Sequence, residues 1–222
     1  MPPRFTRPLK LAAGVSIGAA IAVHFLANSP LLWIFTPLAT LLLLVIAFAN
    51  WRAHKDSYSL WIAVGLTFSL AGDVLLLRPE HFFTLGLSAF LLTHVAYLFA
   101  FTRDTRFPAR LGVWVLYLLV AACCNFLLFS RLPAALRLPV AIYSVFLLSM
   151  AAQAMGRSFF LRTSAARLAA IGALLFVLSD GLLAFDRFYE PLPLAPLLIL
   201  VPYYAAQWLI ASSTDASPRN HA

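Results

Sequence analysis

LLFVLSDGLLAF, residues 174–185, is a nearly unbroken apolar run enclosing one carboxylate, Asp180. LTFSLAGDVLLL, at 66–77, repeats the arrangement around Asp73. A helix needs about 20 apolar residues to cross a hydrocarbon core. Reading both stretches as parts of such helices sets the fold class. The acids then raise the functional question, because an ionisable side chain inside a membrane helix costs roughly 2.5–3.5 kcal/mol on insertion scales and commonly serves a function.

The remainder of the chain has the same character. Of its 222 residues 63% are hydrophobic and 11% charged, and the mean hydropathy is +0.90. Soluble domains carry about a quarter charged residues, and no stretch here leaves room for one. The net charge of +8 reads as a set of topology markers rather than a nucleic-acid surface. Cys123 and Cys124 are adjacent within an apolar run, so they read as packing residues and not as a disulfide or metal pair.

Eight spans are predicted, near 10–27, 31–49, 59–77, 83–101, 111–129, 135–155, 166–185 and 193–211. They are separated by Asn28-Ser29-Pro30, WRAHKD at 51–56, RPEH at 78–81 and TRDTRFPAR at 102–110. The first follows Arg4, Arg7 and Lys10 as a signal peptide would, but its length and the span directly after it favour a retained helix. Twelve Lys and Arg fall on the side of the N-terminus and four on the other. By the positive-inside rule both termini are cytoplasmic. The expected architecture is an all-α, polytopic transmembrane bundle: one eight-helix domain over 1–211 and a polar tail over 212–222. The membrane is a bacterial inner membrane or an endoplasmic reticulum, and the oligomeric state is left open.

This topology runs spans three and seven in the same direction. Asp73 lies four residues before one predicted end and Asp180 five before the other, which places each about 6–8 Å below the outer edge. Two acids at matched depth are expected to face one cavity. Both open an Asp-x-Leu-Leu pattern four spans apart, a faint sign of two four-helix halves. Polar companions lie in other spans: His94 with Tyr97 one turn on, Tyr203, Tyr204 and Gln207 in VPYYAAQWLI, Ser179 beside Asp180, and Ser69 one turn before Asp73. Asn125, Tyr143 and Gln153 read as interhelical hydrogen-bond partners, and His24 as an interfacial histidine.

Three chemistries suit this set. Two carboxylates in a water-poor site can divide the work, one protonated and donating, the other ionised and activating water. A metal held by Asp73, Asp180 and a histidine is the second, although no helix offers histidines at i, i+4. A Ser179 nucleophile is the third, although no G-x-S-x-G elbow surrounds it. A proton-coupled lipid or small-molecule transporter would use similar buried acids. A purely structural pair would lower stability when removed and change no activity.

The motifs carry a resemblance. AGDVLLL at 71–77, F-x-x-G-L-x-A-F-L-L-x-H-x-x-Y at 83–97, G-A-L-L-F-V-L-S-D-x-L-L-A-F-x-R-F at 172–188 and Y-Y-x-A-Q-x-L-I at 203–210 resemble the YhhN family, whose animal members include lysoplasmalogenases. The resemblance implies an intramembrane hydrolase that cleaves the vinyl-ether bond of a lysoplasmalogen to a fatty aldehyde and glycerophospho-ethanolamine or -choline. Its matching polar positions are Asp73, His94, Asp180, Tyr203, Tyr204 and Gln207. It implies a lysophospholipid substrate drawn from membrane lipid, with no nucleic acid, cofactor or metal. Many members carry a Lys-Pro pair where this chain has Thr36-Pro37, so head-group binding is expected to differ and to use Arg78 or Arg187. By residue count His94 lies about 10 Å deeper than the aspartates, which suggests a structural residue or the floor of the cavity.

Overall fold

The computed structural model describes residues 6–25 and 30–215, so Arg4, the Asn28-Ser29 break and the tail beyond 215 lie outside the described residues. Among the described residues the chain forms eight helices and no strand: α1 (Thr6–Val23), α2 (Leu32–His54), α3 (Ser57–Leu75), α4 (Pro79–Phe101), α5 (Leu111–Phe129), α6 (Ala134–Leu161), α7 (Ser164–Phe188) and α8 (Ala195–Ser212). Seven of them, α2 to α8, are long and apolar enough to cross a membrane. The chain is an integral membrane protein. α1 is not among the seven; Arg7 and Lys10 occupy its first two turns.

Local chemistry sets the helix ends. Lys55 adopts a left-handed conformation (φ 54°) that stops α2, and Arg162 (φ 56°) does the same for α6. Asp56 then caps α3 by accepting the Ser59 N–H at 2.8 Å, and Thr163 caps α7 by accepting the Ala166 N–H at 3.2 Å. Pro79 opens α4, where a missing N–H costs nothing. Pro37, Pro139 and Pro202 lie inside α2, α6 and α8.

α3, α4, α6, α7 and α8 form a closed ring in which each helix touches the next. α1 and α2 pack outside α3 and α8, while α5 is outboard on α6 and buries only Ala121. The most extensive pairs, α3 with α4 and α7 with α8, both approach through glycine. A Cβ at Gly65 would lie 2.3 Å from the Tyr97 ring, and one at Gly172 would lie 2.9 Å from the Ala206 carbonyl oxygen. Helices in lipid gain little from hydrophobicity, so close backbone approach of this kind is what holds them. Polar clasps at one end complete the bundle. Arg157 forms a two-point ion pair with Asp104 at 2.7 and 2.5 Å, and Lys10 pairs with Asp215, joining the ends of α1 and α8 on the same side.

Candidate active site

Each carboxylate is held by its own hydrogen-bond network. Asp73, 6% exposed near the end of α3, accepts hydrogen bonds on both oxygens: from the Thr40 hydroxyl of α2 and from the Tyr203 hydroxyl of α8 at 2.6 Å. Gln207 organises the next layer. Its amide N–H groups donate to Ser69 at 2.7 Å and to the Tyr203 oxygen at 3.3 Å, and its carbonyl accepts from Tyr97 at 2.6 Å. Ser69 donates onward to Thr93 at 3.1 Å. These groups are buried, and their satisfied network fixes the orientation of Asp73.

Asp180 of α7 accepts from the Tyr143 hydroxyl of α6 at 2.5 Å. His94 of α4 is fully buried. Its Nε2 lies 2.9 Å from the Tyr143 oxygen and 3.4 Å from Asp180 Oδ2. Since the Tyr143 proton is given to Asp180, Nε2 is the donor to Tyr143, giving the sequence His94 to Tyr143 to Asp180. Phe176 packs against both networks, with ring centroids 4.8 Å from His94 and 5.6 Å from Tyr203.

Both acids line one cavity of about 270 Å³. Tyr143, Tyr203, Ser179, Thr36, His24 and Asp186 share its wall, and among the described residues no lysine or arginine does. A second cavity of about 510 Å³ adjoins it, walled largely by aliphatic and phenyl side chains of α5, α6 and α7. Asp180 and Tyr143 line both. Three arginines stack on aromatic rings nearby: Arg187 over Phe83 at 5.1 Å, Arg131 over Tyr189 at 4.8 Å and Arg78 over Trp33 at 5.3 Å. Among the described residues no three His, Cys, Asp or Glu side chains converge on a metal-sized site.

The residues singled out in the sequence fall into three groups. Asp73, Asp180, Tyr203 and Ser179 line the polar cavity, although the Ser179 hydroxyl is turned to the Ile199 carbonyl at 2.9 Å, one turn before Pro202. His94 and Gln207 stand behind the wall and act on residues that form it. Tyr204 bonds instead to the Thr36 carbonyl at 3.4 Å.

Two expectations need correction. Helix ends do not lie in one plane: α7 continues eight residues past Asp180 and α3 only two past Asp73. Counting from span ends therefore does not measure depth, and this is why His94 reaches Asp180 despite its apparent 10 Å offset. His24, read as interfacial, lines the polar cavity while its Nδ1 bonds the Ala20 carbonyl at 2.8 Å. Asn125 and Gln153 do make interhelical or loop hydrogen bonds, to Ser144 and to the Ala109 N–H. Tyr143 does more than bridge helices, and Thr40 and Asp186 were missed. The available signal was a hydroxyl within an apolar helix, as Thr40 is, with Thr36, in α2.

The YhhN family model matches residues 31–214. Lysoplasmalogenase TMEM86B of Homo sapiens is 35% identical over 164 residues, covering 74% of this chain and 67% of that protein. Lysoplasmalogenase TMEM86A of Bos taurus is 36% identical over 161 residues, 70% of this chain and 65% of that protein. The chain thus spans about two thirds of the length of these relatives. The uncharacterized membrane protein YhhN of Escherichia coli O157:H7 is 28% identical over 182 residues, 82% of this chain and 86% of that one. No solved structure matches. With a family match across α2 to α8, including both carboxylate networks, the chain belongs to the YhhN family.

Proposed function

We propose that this protein is an intramembrane hydrolase that cleaves the vinyl-ether bond of lysoplasmalogens, releasing a fatty aldehyde and a glycerophospho-ethanolamine or -choline. The observation that carries the reading is that Asp73 and Asp180, from different helices, face one small cavity lined by hydroxyl-bearing side chains. Relatives named lysoplasmalogenases support the substrate class, and nothing observed favours transport.

The chemistry needs an acid, an anion and a water, all shielded from bulk solvent. One carboxyl donates its proton to the β-carbon of the vinyl ether, and the carbon–carbon π electrons form the new C–H bond. The resulting oxocarbenium ion faces the other carboxylate, which also takes the proton from an incoming water. The hemiacetal then collapses to aldehyde and alcohol. One water is consumed and both carboxyls return to their starting states. Tyr203, positioned by Gln207, and Tyr143, positioned by His94, orient the two acids. Ser179 and Tyr204 support α8 around them. The phosphate stays at the arginine-bearing rim, since the polar cavity offers it three carboxylates and no cation.

In the same reading α1 is the eighth span, 1–211 is one transmembrane domain, and the 212–222 tail and the N-terminus are cytoplasmic, in a bacterial inner membrane or endoplasmic reticulum. The test is aldehyde release from a lysoplasmalogen by the detergent-purified protein, with an acyl lysophospholipid as control. Wild type is expected to release aldehyde, and folded Asp73→Asn and Asp180→Asn to release none. A folded wild type that yields no aldehyde would remove the assigned substrate.

A further inference from the structure

The larger cavity has no part in the chemistry described so far, yet Asp180 stands in its wall. It is formed by Val120, Cys124 and Leu127 of α5, Leu147 of α6, and Gly181 and Ala184 of α7. α5 packs along α6 and makes no extensive contact with α4 or α7, so this side of the bundle is closed by a single outboard helix. Most of the apolar side chains of α5 face outward, including Leu116, Leu119, Phe126 and Phe129. A mainly apolar cavity beside an outboard membrane helix is accessible to lipid chains, and its polar groups are few: Asp180, Tyr143, Asn125 and Ser144.

We propose that this cavity takes the single hydrocarbon chain of the lipid substrate, laid so that the double bond next to the glycerol lies against Asp180; the inference rests on the vinyl-ether reading above. Two observations favour this occupant. The cavity adjoins the polar one, and Asp180, Tyr143, Phe83, Leu87 and Leu183 line both. A lysolipid is apolar at one end and polar at the other, as this pair of cavities is. A chain entering from the bilayer leaves one apolar medium for another, so the cavity selects by fit rather than by hydrophobic gain.

The placement also assigns the proton. In a vinyl ether the carbon to be protonated is on the chain side, and the carbon that becomes cationic bears the oxygen. With the chain in the apolar cavity, the chain-side carbon faces Asp180 and the oxygen-bearing carbon is toward Asp73. The Asp180 O–H bond breaks as the new C–H bond forms. Water then adds to the cationic carbon and yields a proton to Asp73. On collapse the hemiacetal hydroxyl returns a proton to Asp180, and Asp73 protonates the leaving glycerol oxygen. The hydrogen bonding agrees with this division: both Asp73 oxygens accept from buried hydroxyls, as suits the group that begins the cycle as an anion, whereas Asp180 Oδ1 has no hydrogen-bond partner among the described residues.

Gly181 makes the placement testable, because a Cβ there would meet no atom within 4 Å and the added side chain would fill the cavity. Gly112 has the same freedom and lies outside both cavities, so Gly112→Phe is the control. The assay compares kcat/KM for hexadec-1-enyl and oct-1-enyl glycerophosphoethanolamine. Gly181→Phe is expected to lower the long-to-short ratio by about tenfold or more, as overpacking typically does, with no change of ratio in Gly112→Phe. An unchanged ratio in an active Gly181→Phe protein overturns the placement and leaves the hydrolase reading standing. A second measurement needs neither turnover nor a Gly181 variant. In Cys123→Ala protein, the non-hydrolysable hexadecyl ether of glycerophosphocholine is expected to slow thiol labelling of Cys124, and the same head group without a chain is not. Equal labelling with both overturns the placement. Slowed labelling without any vinyl-ether turnover supports the chain site and sinks the proposed reaction instead.

Discussion

Replacing Tyr143 with phenylalanine removes a hydroxyl that touches both Asp180 and His94. A hydrogen bond to a charged group contributes about 1.5–3 kcal/mol, and about 1.4 kcal/mol is tenfold in rate. Tyr143→Phe is therefore expected to lower kcat/KM for aldehyde release roughly 10- to 100-fold. The deeper question is whether His94 acts on Asp180 through Tyr143 or across the direct 3.4 Å gap. His94→Phe keeps a ring against Phe176 and removes the donor. A double-mutant cycle separates the routes. If His94 works through Tyr143, adding His94→Phe to Tyr143→Phe changes kcat/KM by no more than about twofold, since the pathway is already cut. Thermal unfolding of each variant shows that the comparison is between folded proteins. If the two single losses instead multiply in the double variant, the relay reasoning is refuted and His94 acts on Asp180 independently.

Two further outcomes follow from the same geometry. Turnover in heavy water is expected to place one deuterium on the aldehyde carbon next to the carbonyl, read by mass spectrometry; aldehyde without that label would exclude protonation of the double bond. Gly65→Ala brings a methyl to 2.3 Å from the Tyr97 ring, which is fully buried and bonded to Gln207. It is expected to destabilise the protein by about 1–3 kcal/mol, seen as a lower Tm, while Gly18→Ala, with nothing within 4 Å, does not. Equal Tm values for the two variants would show that α3 and α4 do not depend on this contact.

The two acids were legible as candidates because each is an ionisable group within an otherwise apolar helix. The motif at 203–210 likewise led to Tyr203 and Gln207, which do support Asp73. Tyr143 was underrated for a physical reason: a tyrosine in a membrane helix meets its partner through tertiary packing, and nothing in AIYSVFLL at 141–148 points to α7 rather than to lipid. Thr40 was missed because one hydroxyl in α2 looks like any other helical threonine until Asp73 is set beside it.

By itself the sequence determined the membrane setting, the helical class and nearly all helix positions, since these follow from local hydropathy and from the requirement that backbone groups pair within each span. It also marked which polar residues are candidates for the site. Only the tertiary structure decided depth and neighbourhood. Helix ends at different levels bring His94 to Asp180 against the residue count, and the ring of α3, α4, α6, α7 and α8 converts two distant carboxylates into one cavity. The adjoining apolar cavity is likewise a property of four packed helices, and no single segment encodes it.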